Sequence, residues 1–161
     1  MITRFHPSQQ HELTILILDI QSGELSLGLK DDEQPDLLDT KGFYKDGGFW
    51  VAQLEGELIG CIGLQRLNSD CGILRKLFLK RACREHDRGI ASQLLRTLLV
   101  EAKDIGLSRI FLDTPAVAKA SHSCYRKNDF IEINPKGIPP EYNYVDRDSL
   151  FFVPELPAKR P

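Results

Sequence analysis

Residues 77–91 read LFLKRACREHDRGIA and join an apolar run to the first turn of an amphipathic helix. The run at residues 77–79 predicts the end of a strand, and apolar residues recur at helical spacing after Gly89. The first N–H groups of a helix have no partners inside it, and the helix dipole makes that end positive. Because Gly89 and Ala91 lack bulky side chains, a phosphate can approach this backbone closely. The stretch predicts an anion site or, on the plainer interpretation, a helix start whose glycine only permits a turn.

The composition is that of an ordinary folded chain. Its 161 residues are enough for one domain, and 42% hydrophobic with 27% charged residues are values typical of globular proteins. The 21 Lys and Arg residues against 23 Asp and Glu residues leave a net charge of −2. This balance argues against a nucleic-acid binder, which needs a surplus of cations to displace counterions from phosphate. Neither a P-loop nor a dinucleotide-binding glycine pattern occurs in the sequence.

The cysteines at positions 61, 71, 83 and 124 have no zinc-ligand spacing, so we expect no metal site. The N-terminus carries no apolar leader, and we expect four reduced thiols in a cytoplasmic protein rather than a disulfide framework. The longest apolar stretch, residues 13–20, is far shorter than the roughly 20 residues that cross a bilayer. We therefore expect a soluble domain with no membrane segment.

Hydrophobic periodicity predicts an α/β fold built on a mixed sheet. The predicted strands are residues 2–5, 49–54, 58–64, 72–79, 109–112, 130–133 and 150–153. Four helices are predicted. The first is capped by Ser8 and runs to residue 20, and the second is a short helix at 36–44. The third runs from Gly89 to a stop at Gly106, and the fourth is capped by Thr114, has Pro115 as its first residue and ends at Asn128. The acidic run at residues 31–36 is interpreted as a solvated loop.

Three segments together resemble consecutive elements of the GNAT family of N-acetyltransferases. They are the strand at 74–79, the loop at 86–91 and the stretch YRKNDF at 125–130. In that family a strand precedes an Arg/Gln-x-x-Gly-x-Gly/Ala phosphate loop, and a later helix ends in a Tyr-x-Lys-x-Gly-Phe-like motif. The order of elements matches over roughly residues 2–156, so the resemblance covers most of the chain.

The chain departs from the family pattern at three positions. His86 stands where the family usually has Arg or Gln, and Ala118 stands where many members carry Asn near the cofactor. Asp129 replaces the usual glycine before the aromatic residue, and Asn128 is expected to take the left-handed cap conformation nearby. His86 and Ala118 each remove a side-chain contact to the cofactor, and Asp129 removes the conformational freedom of glycine. The backbone amides of the phosphate loop, which do most of the phosphate binding, do not depend on these side chains.

The resemblance implies one acetyltransferase domain over residues 1–161 and a mostly antiparallel α/β (α+β) sheet with helices on both faces. It implies a splayed parallel pair, the strands at 72–79 and 109–112, with the pantetheine arm of acetyl-CoA between them. The arm would pair with an exposed strand edge, and the pyrophosphate would lie on the amides of the loop. The implied cofactor-binding residues are Leu77, Phe78, Leu79, His86, Asp87, Arg88, Gly89, Ile90, Ala91 and Ser92.

The implied chemistry is direct attack of an amine on the thioester. Backbone N–H groups near Leu77 or Phe78 would hold the oxyanion, and Tyr125 would protonate the departing thiolate. The alternative for Tyr125 is a packing role at the end of its helix. The general base stays open: the candidates are Glu55, Glu57, Asp113, the histidines (of which His122 is expected on the surface) and an ordered water.

The acceptor would be a small-molecule or peptide amine. In the family it is lined by early helices and a late loop, here residues 25–44 and 135–148, where carboxylates and tyrosines suit a cationic amine. Whether the donor is acetyl-CoA or a longer acyl-CoA is open. Two other function classes compete: a non-catalytic acyl-CoA-binding regulatory module, and an interaction domain that forms a homodimer through its sheet edge.

Overall fold

Seven strands form one mixed sheet in the part of the chain that the structure describes. That part of the computed structural model is residues 1–24, 34–85, 89–140, 142 and 149–154. The strands are β1 (Ile2–Arg4), β2 (Gly48–Leu54), β3 (Glu57–Arg66), β4 (Cys71–Leu79), β5 (Arg109–Pro115), β6 (Phe130–Ile133) and β7 (Ser149–Pro154). Their spatial order is β1-β2-β3-β4-β5-β7-β6, and every neighbouring pair is antiparallel except β4 with β5. The predicted mixed, mostly antiparallel sheet is confirmed.

Helices flank both faces of the sheet, as predicted. They are α1 (Gln10–Leu18), α2 (Pro35–Leu38), α3 (Thr40–Phe43), α4 (Arg81–Glu85), α5 (Ile90–Asp104) and α6 (Lys119–Lys127). On one face α5 buries Leu94 and Leu98 completely, and on the other α1 buries Leu13 and Ile17 completely. Burying a side chain of this kind contributes about 1.5–3 kcal/mol. The two apolar clusters therefore fix the helices on opposite sides of the strands.

The parallel strands β4 and β5 diverge after three residue pairs. The pairs are Cys71 with Arg109, Gly72 with Ile110, and Ile73 with Phe111. From Leu112 onward β5 pairs instead with β7, so the second half of β4 faces an opening. This is the splayed strand pair that the sequence predicts. It leaves the residues from 74 to 79 with a backbone edge that β5 does not cover.

A β-bulge lies in β4 beside this opening. Cys61 of β3 pairs with Phe78 and Gly63 pairs with Arg75, so one residue of β3 is opposite two of β4. One of these two is Lys76, whose φ of +58° is uncommon for a residue other than glycine. The bulge brings Arg75 and Lys76 in succession to the α1 side of the sheet, while Leu77 packs with the α5 core.

The first two predicted helices differ from the observed ones. His6 rather than Ser8 is the N-terminal cap, because its Nδ1 accepts a hydrogen bond from the Ser8 N–H and Gln9 completes a capping box. A short 3₁₀ turn therefore precedes α1. The predicted helix at 36–44 is two helices, α2 and α3, because the backbone of Asp39 is extended and its side chain caps α3.

The Thr114-Pro115 pair does not start a helix. Thr114 pairs with Leu150, and Pro115 pairs with Ser149 at the end of β5. Proline is tolerated there because it closes the strand and interrupts little of the ladder. The following helix begins only at Lys119.

The described ranges contain neither a membrane-spanning helix nor a metal-binding cluster. None of their helices is long and apolar enough to cross a membrane. Among the same residues, no cluster of three or more His, Cys, Asp or Glu side chains is arranged to hold a metal ion.

Candidate active site

A cavity of about 220 Å³ lies between the second half of β4, the start of α5 and the start of α6. Leu77, Phe78 and Leu79 of β4 line it, and Ala91 at the start of α5 lines it too. These are four of the ten residues that the sequence predicts to bind the cofactor. The remaining lining residues are Ile20, Arg84, Val117, Ala118, Lys119, Ala120, Ser121 and Cys124. The small side chains at 118, 120 and 121 leave the space that this cavity occupies.

The N-terminus of α5 reaches the cavity through Ala91. Gly89 is its N-cap and has a φ of +68°, a conformation that glycine adopts without strain. The predicted residues Ile90, Ala91 and Ser92 form the first turn, where N–H groups lack helical partners. The other three predicted loop residues, at positions 86–88, lie outside the described residues.

The C-terminal end of α6 is joined to this first turn. The side-chain amide of Asn128 donates to the hydroxyl of Ser92 over 3.1 Å and to the carbonyl of Cys124 over 2.8 Å. The left-handed residue after α6 is Asp129, with a φ of +67°, and not Asn128 as predicted. Asn128 has a φ of −104°, and its side chain makes both of these bonds. The start of α5, which follows the predicted phosphate loop, and the stretch at 125–130 therefore meet at the hydrogen bond between Ser92 and Asn128.

Tyr125 is 4% exposed and packs between two aromatic rings. The ring centroids of Phe130 and Phe152 both lie 5.6 Å from that of Tyr125. Its hydroxyl has no hydrogen-bond partner among the residues described. Burial raises the pKa of this phenol, and the charges of Cys124 and Asp113 add to the rise. Its neighbour Cys124, rather than Tyr125 itself, lines the cavity, and burial raises the pKa of that thiol as well.

A carboxylate and a second tyrosine meet on the other side of the opening. The Tyr142 hydroxyl donates to Oδ1 of Asp113 over 2.5 Å. Tyr142 is 4% exposed, and burial followed by the Asp113 charge raises the pKa of its phenol. The Arg75 guanidinium lies 5.8 Å from the centre of the Tyr142 ring, and its Nε donates to Gln65. The sequence marks Asp113 as a candidate base and Tyr142 only as one of the tyrosines of residues 135–148, because no local pattern pairs residues 29 positions apart.

A buried ionic cluster anchors the bulge. Asp36 is 4% exposed, which corrects the prediction of a solvated loop at that position. Its Oδ2 accepts a 2.7 Å hydrogen bond from the Tyr44 hydroxyl and lies 3.4 Å from Nζ of Lys76. The Lys76 carbonyl in turn accepts a hydrogen bond from the Cys61 thiol, whose pKa burial raises to about 12. Lys76, the left-handed residue of the bulge, is therefore held through its side chain by Asp36 and through its carbonyl by Cys61.

The other candidate bases lie elsewhere. Glu57 pairs with Lys80, and Glu55 is exposed in the β2–β3 turn. His122 is 4% exposed, so its predicted surface position is wrong. Its Nε2 donates to the Pro115 carbonyl over 3.0 Å, and burial lowers its pKa. A hydrogen bond to the backbone explains why a polar residue is stable on the inner face of α6.

Comparisons with known proteins agree with this geometry. The model of the acetyltransferase (GNAT) family matches residues 15–130. The chain is 31% identical to human N-acetyltransferase 8B over 126 residues, which cover 74% of this chain and 55% of that protein. An acetyltransferase structure from Streptococcus agalactiae aligns at 29% identity with a TM-score of 0.90, covering 97% of this chain and 98% of the other. N-acetylglutamate synthase from Neisseria gonorrhoeae, solved with coenzyme A and N-acetyl-glutamate, aligns at 20% identity with a TM-score of 0.73, covering 96% of this chain and 34% of that chain.

The chain spans a little over half the length of the human relatives it matches. The likeness to the synthase, at 20% identity, is a likeness of fold. The family model covers most of the chain and includes β4, the start of α5 and Tyr125. The chain therefore belongs to the acetyltransferase (GNAT) family.

Proposed function

We propose that this chain is an acetyl-CoA-dependent N-acetyltransferase that transfers the acetyl group to a primary amine. The observation that carries the proposal is the opening between β4 and β5. An uncovered strand edge, a cavity of about 220 Å³ and a helix N-terminus adjoin there. A strand edge can pair with the amides of a pantetheine arm, and a helix N-terminus can hold a pyrophosphate. One molecule that carries both groups is coenzyme A.

The proposed cofactor contacts come mainly from the backbone. Leu77, Phe78 and Leu79 offer the strand edge, and these residues line one wall of the cavity. The phosphate loop contributes main-chain N–H groups from residues 86–92. The proposed set is the predicted one: Leu77, Phe78, Leu79, His86, Asp87, Arg88, Gly89, Ile90, Ala91 and Ser92.

The reaction needs donors for the oxyanion and a proton for the thiolate. The bulge takes residues of β4 out of the regular ladder with β3, which leaves N–H groups near Leu77 or Phe78 for the thioester oxygen. Tyr125 supplies the proton in this proposal. Its buried hydroxyl has no partner among the described residues, and a buried donor of this kind is costly unless a ligand uses it.

The second candidate is a non-catalytic acyl-CoA-binding module. One observation favours it: burial raises the pKa of Tyr125, which makes the phenol a weaker acid in the absence of substrate. Apolar surroundings would also disfavour the thiolate, so a sulfur that lies beside the buried phenol keeps the driving force for the proton transfer between them. Turnover therefore separates the two candidates.

The test is a screen of primary amines with acetyl-CoA. Polyamines, amino acids, aminoglycosides and peptides with a primary amino terminus are each incubated with the protein, and released coenzyme A is followed with a thiol reagent. We expect release that depends on one class of amine and on the protein. A large thermal shift with acetyl-CoA but no thiol release with any amine would favour the binding module.

A further inference from the structure

The carboxylate of Asp113 stands at the start of the splay. It is two residues beyond Phe111, the last residue of β5 that pairs with β4. Tyr142, which precedes β7 in the sequence, donates its hydroxyl to Asp113 over 2.5 Å. A short bond to a residue that is 4% exposed holds the carboxylate in one orientation.

Asp113 and Tyr125 lie on opposite sides of the sheet. Leu112 packs in the same apolar cluster as Tyr125, whereas Phe111 packs with Tyr142 in another. Because side chains alternate along a strand, Asp113 lies on the Phe111 side. Burial is the main cause of the raised pKa of both tyrosines, and the charge of Asp113 adds to the rise in each. A base on one side and an acid on the other suit a substitution in which the C–N bond forms on the side of the base. The C–S bond then breaks on the side of the acid.

Three other carboxylates are exposed or paired with a cation. Glu55 is exposed in the β2–β3 turn, Glu57 pairs with Lys80, and Asp36 is held by Lys76 and Tyr44. His122 lies on the Tyr125 side and uses Nε2 to bond the backbone. Asp113 differs from these carboxylates because its hydrogen-bond donor, Tyr142, is neutral, so its negative charge is not compensated by that partner.

We propose that Asp113 is the general base for the acceptor amine, and that Tyr142 is its positioning residue. This inference rests on the proposed acetyl transfer. The Asp113 carboxylate holds the acceptor as an ammonium ion and removes one proton. The nitrogen lone pair forms the C–N bond, the tetrahedral intermediate collapses and the C–S bond breaks. The thiolate takes the Tyr125 proton, the second nitrogen proton returns to the Tyr125 oxygen, and Asp113 releases its proton to water.

If Asp113 removes a proton from the acceptor, the rate should depend on Asp113 only for amines that are protonated at the assay pH. Ethylamine is an ammonium ion at neutral pH, whereas trifluoroethylamine has nearly the same shape and is largely neutral. Asp113→Asn keeps the size of the side chain and an oxygen that can accept the Tyr142 bond. It should lower kcat/KM for ethylamine by about 10²- to 10⁴-fold, and for trifluoroethylamine by no more than about threefold. Tyr142→Phe should cause a smaller loss with the same dependence on the amine.

The controls separate this inference from the proposed function. Glu57→Gln removes an exposed carboxylate and should leave both rates unchanged, and the thermal shift with acetyl-CoA should be the same in every variant. Equal losses of Asp113→Asn with both amines, or no loss with ethylamine, would overturn the role of Asp113 while acetyl transfer by the parent protein still stands. A parent protein that acetylates neither these amines nor any amine of the screen would overturn the proposed function, and this inference with it.

Discussion

Gly89 and Gly106 stand at opposite ends of α5 and give a matched test of the anion site. Their φ angles are +68° and +86°, and a Cβ added at either position meets no atom within 4 Å. Alanine at either position therefore causes backbone strain without a clash. That strain amounts to about 1–2 kcal/mol, and each kcal/mol lowers Tm by about 2–4 °C in a domain of this size. Alanine is preferable to valine, because a branched residue at positive φ would be a more severe outlier.

The two variants should separate once acetyl-CoA is added. At a concentration of 100 Kd, the cofactor raises the free energy of unfolding of the parent protein by about 2.7 kcal/mol. Gly106→Ala should gain the same amount, because that end of α5 is remote from the phosphate in the proposed complex. In Gly89→Ala a Cβ stands where the pyrophosphate approaches, and a tenfold weaker affinity would leave about 1.4 kcal/mol.

The assay is a thermal shift of the parent protein and both variants, each with and without millimolar acetyl-CoA. We expect similar decreases in Tm without the cofactor and a ligand-induced shift for Gly89→Ala about half that of Gly106→Ala. Equal ligand-induced shifts in the two variants would refute the reasoning. The pyrophosphate would then lie away from the N-terminus of α5.

Three further perturbations test other parts of the account. Tyr125→Phe should lower kcat by about 10²- to 10⁴-fold without changing the affinity for acetyl-CoA, and an unchanged kcat would leave Tyr125 a packing residue only. Asp36→Asn leaves the half-buried Lys76 without its anion and should lower the free energy of unfolding in urea by about 1–3 kcal/mol, whereas an unchanged midpoint would mean that this cluster does not stabilise the bulge. Burial lowers the pKa of His122, so the unfolded chain gains a proton that the folded chain lacks as pH falls below about 6.5. Stability should decrease in that window, and His122→Gln should show a weaker decrease if this residue is the cause.

Local sequence signals predicted the elements that depend on near neighbours. The apolar stripe after Gly89 and the turn centred on Gly56 between the predicted strands at 49–54 and 58–64 needed only periodicity and turn chemistry, and both elements are where they were expected. The Thr114-Pro115 signal failed because pairing with Leu150 and Ser149 decides that segment. Partner residues that are 36 and 34 positions away outweigh a local preference for a helix cap.

The polar clusters of the site depend even more on long-range contacts. Asp36 meets Lys76 only because α2 packs over a bulge, and the bulge appears only in the register between β3 and β4. Asp113 meets Tyr142 only after β5 has left β4. The strand–loop–helix junction could be identified from the sequence because its function lies in consecutive backbone groups. Side-chain pairs that are far apart in sequence carry no such local signal.

The central claim is that the acyl donor lies between β4 and β5 with its sulfur beside Tyr125. A crystal structure of the complex with coenzyme A measures this directly. We predict hydrogen bonds between the pantetheine amides and the backbone of Leu77, Phe78 or Leu79, and a Tyr125 oxygen close enough to the sulfur to donate a proton. Coenzyme A bound outside this opening, or a Tyr125 hydroxyl still enclosed by Phe130 and Phe152 and out of reach of the sulfur, would contradict the account.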